Sequence, residues 1–256
     1  MKHVEVGPDG AQLGYVELDG DGSSSPTLVY LHGLGACSPV YFARTAAEPV
    51  LAGRRVLMID FLGFGLSDRP TGFGYTLDEH ADAIARGLDA LGVSGADVIG
   101  HSMGGGIAVV LADRRPDLVG RLLLAEPSLR PSPRPFAEPF TDDEFVAFGF
   151  QQQLAAVGHR WAATMRLADP VAMHRSELAL GPGMRNLHDD VLLTLAVPRA
   201  IIEGELSGWL SGDPTICAAG IPVRVVAGAG HVMMLDNPVG FARAIAESLD
   251  ELGATG

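Results

Sequence analysis

Six short, mostly apolar runs punctuate this chain of 256 residues, at 27–31, 55–59, 97–99, 121–125, 200–202 and 223–226. Each has the length of one strand and lacks the polar alternation of a half-exposed strand, so each reads as a strand buried on both faces. Helical stretches fall between them, at about residues 40–51, 77–91, 103–114 and 239–252. Strands that alternate with helices imply a mostly parallel sheet with helices on both faces, an α/β fold. The start of the chain adds a β-hairpin. Val4 and Val6 alternate, the turn Gly7-Pro8-Asp9-Gly10 follows, and residues 12–18 alternate again before a polar loop at 20–26.

The alternation breaks between Pro127 and Pro198. Leu129-Arg130-Pro131-Ser132-Pro133-Arg134-Pro135 fits neither a regular helix nor a central strand. Beyond it, Phe150, Leu154, Val157 and Trp161 fall at i, i+4, i+7 and i+11, the spacing of one helix face. Phe136, Phe140, Phe145 and Phe148 lie just upstream. Residues 128–197 are therefore read as an inserted helical cap, and residues 1–127 and 198–256 as the core. Most of these aromatics are expected to pack the cap's own small core. A few are expected to line a pocket at the seam of cap and sheet, a common place for ligands.

The length suits one large α/β domain that buries its core without metals or disulfides. Apolar residues make up 47% of the chain, as in ordinary globular proteins. A net charge of −13 leaves no basic stripe to neutralise phosphates, which argues against nucleic acid and against an anionic membrane surface. The N-terminus lacks the apolar core of a signal peptide, and no apolar run approaches a membrane span. A cytoplasmic location is the expectation. Cys37 and Cys217 lie far apart with no metal or redox spacing, and are expected to be reduced thiols. No cofactor and no metal are expected. The oligomeric state is not legible.

Gly100-His101-Ser102-Met103-Gly104 sits where one of the strands runs into a helix. A Gly-x-Ser-x-Gly pentapeptide is weak alone in a chain with 33 glycines. Its context strengthens it. Small residues on both sides let strand and helix approach closely, and the serine is left protruding from a tight turn. The helix that follows directs backbone N–H groups at that point.

Three further segments bear on Ser102. His32-Gly33-Leu34-Gly35 follows the strand at 27–31, and its glycines let a backbone N–H turn toward the same pocket. Leu34 supplies one donor and Met103 the other, an oxyanion hole; His32 itself is read as structural. Asp60-Phe61-Leu62-Gly63-Phe64-Gly65-Leu66-Ser67-Asp68 is a tight loop with no catalytic role, expected to shape the floor beside the site. Gly228-Ala229-Gly230-His231 follows the last strand. Seven other histidines compete with His231: His3, His32, His80, His101, His159, His174 and His188. Only His231 occupies a Gly-rich turn at a strand's carboxyl end ahead of a helix, the edge of a parallel sheet where catalytic groups collect. Asp236-Asn237-Pro238 then reads as a helix cap with Pro in the first turn.

Taken in order and spacing, His32–Gly35, Asp60–Asp68, Gly100–Gly104 and Gly230–Pro238 resemble the α/β-hydrolase family over nearly the whole chain. The resemblance implies an eight-stranded, mostly parallel sheet, a cap inserted after the sixth strand, and a nucleophile–acid–histidine triad. Carried over by position, Ser102 is the nucleophile, His231 the base, and Leu34 and Met103 the oxyanion donors. The acid departs from the family's commonest pattern. The loop after the seventh strand reads Ile201-Ile202-Glu203-Gly204-Glu205-Leu206-Ser207-Gly208, with Ser207 and Gly208 where an Asp is usual. The family's second placement, at the end of the sixth strand, falls on Glu126. Pro127 biases Glu126 toward an extended backbone, as suits a strand's last residue. Asp213 and Glu205 are the alternatives.

The chemistry expected is acyl transfer through a serine ester, on a carboxylic ester, lactone or thioester of a hydrophobic small molecule. Serine at 102 argues against epoxide hydrolase and haloalkane dehalogenase chemistry, which in such relatives needs an Asp nucleophile. Carbon–carbon bond hydrolysis and perhydrolysis use the same triad and stay open. Non-hydrolytic alternatives are a small-molecule binder on the same fold and a cyclase or lyase using the same pocket.

Overall fold

The apolar runs and the N-terminal hairpin assemble into a single sheet in the protein's structure, a computed structural model that describes residues 1–254 except 8, 23, 24 and 209. Pro8 of the expected hairpin turn and residues 23–24 of the polar loop thus lie outside the described residues. The strands are β1 (Lys2–Glu5), β2 (Gln12–Leu18), β3 (Leu28–Leu31), β4 (Val56–Ile59), β5 (Ala96–His101), β6 (Val119–Ala125), β7 (Arg199–Gly204) and β8 (Val223–Val226). Their order across the sheet is β1-β2-β4-β3-β5-β6-β7-β8. β2 is antiparallel to both of its neighbours, pairing Glu5 with Gln12 on one side and Tyr15 with Ile59 on the other, and every other pairing is parallel. The sheet is therefore eight-stranded and mostly parallel, as the resemblance implies.

Period-two alternation divides each central strand between two cores. Val29, Leu31, Val98, Leu122, Leu124 and Ile201 face one side; Leu28, Tyr30, Ile99, Leu123, Ala125 and Ile202 face the other. On the second side lie α1 (Ser38–Ala46) and the long C-terminal helix α11 (Pro238–Ala254); on the first lie α2 (Leu77–Ala90) and α3 (Met103–Arg114). Every residue of α3 from Met103 to Ala112 is buried. That explains why its sequence is apolar all round and shows no amphipathic stripe. Asp97, fully buried at the start of β5, takes two hydrogen bonds of 2.6 Å from Arg121 and one of 2.7 Å from Arg54, so the charge inside the sheet is compensated.

The remaining helices belong mostly to the excursion between β6 and β7. They are α4 (Asp142–Glu144), a π-helical turn at Phe145–Gly149, α5 (Phe150–Ala156), α6 (His159–Met165), α7 (Pro170–Ala179) and α8 (Leu187–Asp190); α9 (Pro214–Ala218) and α10 (Met233–Asp236) follow later in the chain. The Pro-rich entry at 129–135 is irregular. Phe140 packs against Phe136, Phe145 and Phe148, a small aromatic cluster of the excursion itself.

Three local expectations are corrected. The single helix face running from Phe150 to Trp161 does not exist. Val157 turns extended at ψ 156° and Gly158 precedes α6, so the face is split between two helices; a glycine is the cheapest place to break a helix. The helix expected over 40–51 is likewise two pieces, α1 and a single 3-10 turn at Pro49–Leu51, because the residue before a proline leaves the helical region. Finally, the loop at 60–68 does not line the cavity; it lies behind it, where the N–H of Phe61 donates to His32. The buried Asp60 carboxylate accepts the N–H of Ser38 at 2.6 Å and of Leu66 at 2.9 Å, so the loop braces the start of α1. Cys37 and Cys217 are both free thiols. Among the described residues no helix is long and apolar enough to cross a membrane.

Candidate active site

Ser102 is the residue between β5 and α3. Its backbone lies at φ 53° and ψ −120°, a region that side-chain-bearing residues rarely occupy. Close packing holds it there. A Cβ at Gly100 would meet the Gly104 carbonyl oxygen at 2.5 Å, and one at Gly104 would meet that of His32 at 2.4 Å. The Ser102 N–H donates to the Ala125 carbonyl at 3.0 Å, and its own carbonyl accepts from Ser128 at 2.8 Å. The turn is therefore stitched to the end of β6 on both sides of the peptide. Met103 opens α3, so its N–H has no acceptor within the helix.

The loop at His32–Gly35 is held from beneath. The N–H of Phe61 donates to Nε2 of His32 at 3.1 Å, so the ring proton sits on Nδ1, which donates to the Gly33 carbonyl at 2.7 Å. Burial lowers the pKa of His32 and keeps this tautomer neutral. The Gly33 carbonyl also accepts the Ala36 N–H at 3.1 Å. That carbonyl and the Leu34 N–H belong to one planar trans peptide and point in opposite directions. Fixing the first aims the second.

His231 and Glu126 meet. Nδ1 of His231 lies 2.8 Å from Oε2 of Glu126, while Oε1 accepts the N–H of Gly204 at 2.9 Å. Burial alone would raise the Glu126 pKa. Hydrogen bonds from His231, the Gly204 N–H and the Ser207 hydroxyl outweigh it and leave the carboxyl below its ordinary value. An ionised Glu126 makes Nδ1 the protonated nitrogen and leaves Nε2 of His231 as a free acceptor. The His231 side chain is 52% exposed, against 1% for Glu126, so the imidazole bridges a buried carboxylate and an open cavity. His101, next to the serine, reaches the same loop. Its Nε2 donates to the His231 carbonyl at 2.8 Å and the two rings lie 4.7 Å apart. Burial pushes the His101 pKa well down.

Glu126 reaches this position in an unexpected way. β6 ends at Ala125, and Glu126 has φ 41°, not the extended backbone that Pro127 should favour. The Glu126 N–H still donates to Ile202 at 3.1 Å, the next link of the β6–β7 ladder, while the left-handed turn redirects the chain. Ladder and turn together override the local bias of the proline. The alternative acids lie elsewhere. Asp213 caps α9 and pairs with Arg130 at 3.1 Å, and Glu205 accepts the N–H of Gly228 at 2.8 Å. Ser207, standing where the family's usual carboxylate would be, donates a hydroxyl to Glu126 instead.

Gly33, Leu34, His101, Ser102 and His231 share a cavity of about 440 Å³. Tyr41, Trp161, Leu180, Val232 and Leu235 supply an apolar wall. Among the described residues, Trp161 is the one aromatic of the β6–β7 excursion that lines it; no phenylalanine of the excursion does, and no residue of the 60–68 loop. Arg160, also on the wall, is paired with Asp236 at 3.0 Å, and Asp236 in turn accepts the Gly230 N–H at 3.1 Å beside His231. Asn237 caps α11 ahead of Pro238, its side chain accepting the Gly240 N–H at 2.9 Å, as the sequence suggests. What sequence reasoning missed here is the supporting set: Ser207, His101, Asp236 and the indole of Trp161. Ser207, His101 and Trp161 act on residues far away in the chain, and Asp236 reaches back only six residues to Gly230 but pairs with the distant Arg160, so no local spacing announces the set.

Comparison with known proteins points the same way. The family pattern described as the alpha/beta hydrolase fold matches residues 26–189. A 2-hydroxymuconate semialdehyde hydrolase from Pseudomonas putida is 37% identical over 121 residues, which are 47% of this chain and 43% of that protein. The chain thus spans less than half the length of the curated relatives it matches. Among solved structures, a thermophilic esterase from Thermogutta terrifontis superposes with a TM-score of 0.78 at 21% identity, over 98% of this chain and 99% of the other. The enol-lactonase from Burkholderia xenovorans does so with a TM-score of 0.78 at 22% identity, over 97% of this chain and all of the other. At such identities the likeness is one of fold.

Proposed function

The chain belongs to the alpha/beta hydrolase fold family, and we propose that it is a serine hydrolase that cleaves a carboxylic ester or lactone of a hydrophobic small molecule. One observation carries the reading. The Glu126–His231 pair at 2.8 Å opens onto the same cavity as a serine held at φ 53°. An ionised, buried acid that orients the imidazole leaves Nε2 free to act as a base toward Ser102.

In the proposed reaction, Nε2 of His231 takes the Ser102 proton as Oγ attacks the carbonyl carbon. The tetrahedral oxyanion is met by the N–H groups of Leu34 and Met103, the second at the positive end of α3. Collapse expels the alcohol, which takes the proton back from His231, and leaves an acyl group on Ser102. A water activated by His231 then attacks the ester, and the acid product leaves with the serine restored. Glu126 stays ionised throughout and stabilises the imidazolium. The apolar wall supports a neutral, hydrophobic substrate, and Arg160 on that wall is already engaged by Asp236. A second reading is hydrolysis of a carbon–carbon bond on the same triad, and the Pseudomonas putida relative is what favours it.

A panel of aryl esters, lactones, acyl thioesters and a 2-hydroxymuconate semialdehyde-type substrate tests both. The Ser102→Ala variant should lose about six orders of magnitude in kcat with its fold intact. A fluorophosphonate probe should label Ser102 in the wild type. Turnover that persists in Ser102→Ala sinks the proposal. Activity confined to the semialdehyde-type substrate selects the second reading.

A further inference from the structure

The oxyanion loop is gripped from two sides. From the core, His32 fixes the peptide between Gly33 and Leu34 through the Gly33 carbonyl at 2.7 Å. The next peptide, between Leu34 and Gly35, is fixed from the cap. The indole Nε1–H of Trp161 donates to the Leu34 carbonyl at 2.8 Å, across 127 positions of sequence. Gly35, at φ 64°, lies directly beneath the contact; a Cβ there would meet Trp161 Nε1 at 3.0 Å and Met165 at 3.2 Å. A left-handed glycine offers the chain no stiffness of its own. The hydrogen bond from Trp161 therefore restrains a peptide that the core leaves hinged.

We propose that Trp161 is a positioning residue for the oxyanion hole, holding both peptides of Leu34 in register so that its N–H is preorganised before substrate arrives. The role rests on the reading of Ser102 as a nucleophile and of Leu34 as an oxyanion donor. Helix α6 is itself well seated for it. The Thr164 hydroxyl donates to the Trp161 carbonyl at 3.1 Å, Met165 is fully buried, and Arg160 pairs with Asp236 beside the His231 loop. One cap helix thus touches both the oxyanion loop and the loop of the histidine. The indole also lines the cavity, so a substrate packed on its face would bear on the same contact. Electrostatic stabilisation by fixed dipoles depends on their being aimed in advance, and a displacement of about 1 Å can cost about a hundredfold in rate.

Trp161→Phe keeps an aromatic wall and removes the donor. Its reaction with a fluorophosphonate should slow by about tenfold or more, and kcat for an aryl ester should fall by a similar factor with KM within about twofold. An unchanged kcat, or a raised KM alone, reduces Trp161 to a cavity wall and overturns the assignment. Wild type and variant are compared side by side. A wild type that fails to react with the phosphonate refutes the nucleophile; a wild type that reacts no faster than the variant refutes only the role of Trp161. A second measurement needs no variant and covers the case of a variant that does not fold. Hydrogen exchange of the Trp161 indole N–H in the wild type should be slower than in free tryptophan by about tenfold or more. Exchange at the free rate also overturns the proposal.

Discussion

The serine and the histidine of this site reach the cavity by different physics. The turn at Ser102 is held almost wholly by backbone. Glycines at 100 and 104 allow contacts that a single added methyl would close, and the peptide is stitched to β6 at 3.0 and 2.8 Å. The loop of His231 rests on the backbone at Gly204 and Leu206 but is oriented largely by side chains: Glu126 on the imidazole, His101 on the carbonyl, Asp236 on the Gly230 N–H and Asn237 on the Ala227 carbonyl. The first half is set by the shape of the core. The second depends on a handful of polar groups, and three of them, Glu126, Asp236 and Asn237, are replaceable without a change of volume. Shape defects should therefore cost stability together with activity, and polar defects activity with little loss of stability.

The largest separation is expected from Glu126→Gln. It is isosteric, so the melting temperature should stay within a few degrees, while kcat falls by about four orders of magnitude because the imidazole loses its orienting charge. Asp213→Asn, at the rival acid, should leave kcat within about twofold; if Asp213 is the damaging position, the acid is misassigned. Gly104→Ala breaks the other half. Its Cβ would lie 2.4 Å from the His32 carbonyl, so backbone must shift. A loss of about 3 kcal/mol in denaturant unfolding should accompany the loss of activity. A Gly104→Ala protein with native stability would refute the division between the halves.

The smallest effect is a pH dependence. The folded pKa of Glu126 lies below its ordinary value of 4.5. Ionised Glu126 therefore stabilises the fold above pH 4.5, and that increment is lost as pH falls through the lowered value. The difference in melting temperature between wild type and Glu126→Gln should shrink as pH drops below about 4.5. A difference that grows on acidification would mean the carboxyl is destabilised in the fold.

The same division governs what could be read from the chain. The serine turn is local: strand, small residues and helix are adjacent in sequence, so its geometry follows from steric rules within a dozen residues. The strands were legible because burial on both faces leaves an apolar signature, although β5 extends to His101, beyond the run at 97–99. Glu126 was legible as a carboxylate at a strand's end, but not its φ of 41°, which the β6–β7 ladder and the turn beyond it impose. The excursion between β6 and β7 was least legible. Its helices are short and pack on one another, so the spacing from Phe150 to Trp161 imitates a continuous face that Gly158 interrupts. The contact of Trp161 with Leu34 has no local signal at all.

The placement of the proposed acid at Glu126 has a further consequence for the chain. Serine and glutamate now ride on one strand–helix–strand unit, β5 to the residue after β6, instead of being split between distant parts of the chain. What the last third contributes is the N–H of Gly204, at a position where a Cβ would meet the Ala229 and Gly230 carbonyls at 2.5 Å, the side chain of Ser207, and one histidine. The segment between β7 and β8 then carries no side chain of the proposed triad. With Glu126 as the acid, a substitution between β7 and β8 that spares Gly204 and Ser207 leaves all three side chains of the proposed triad in place.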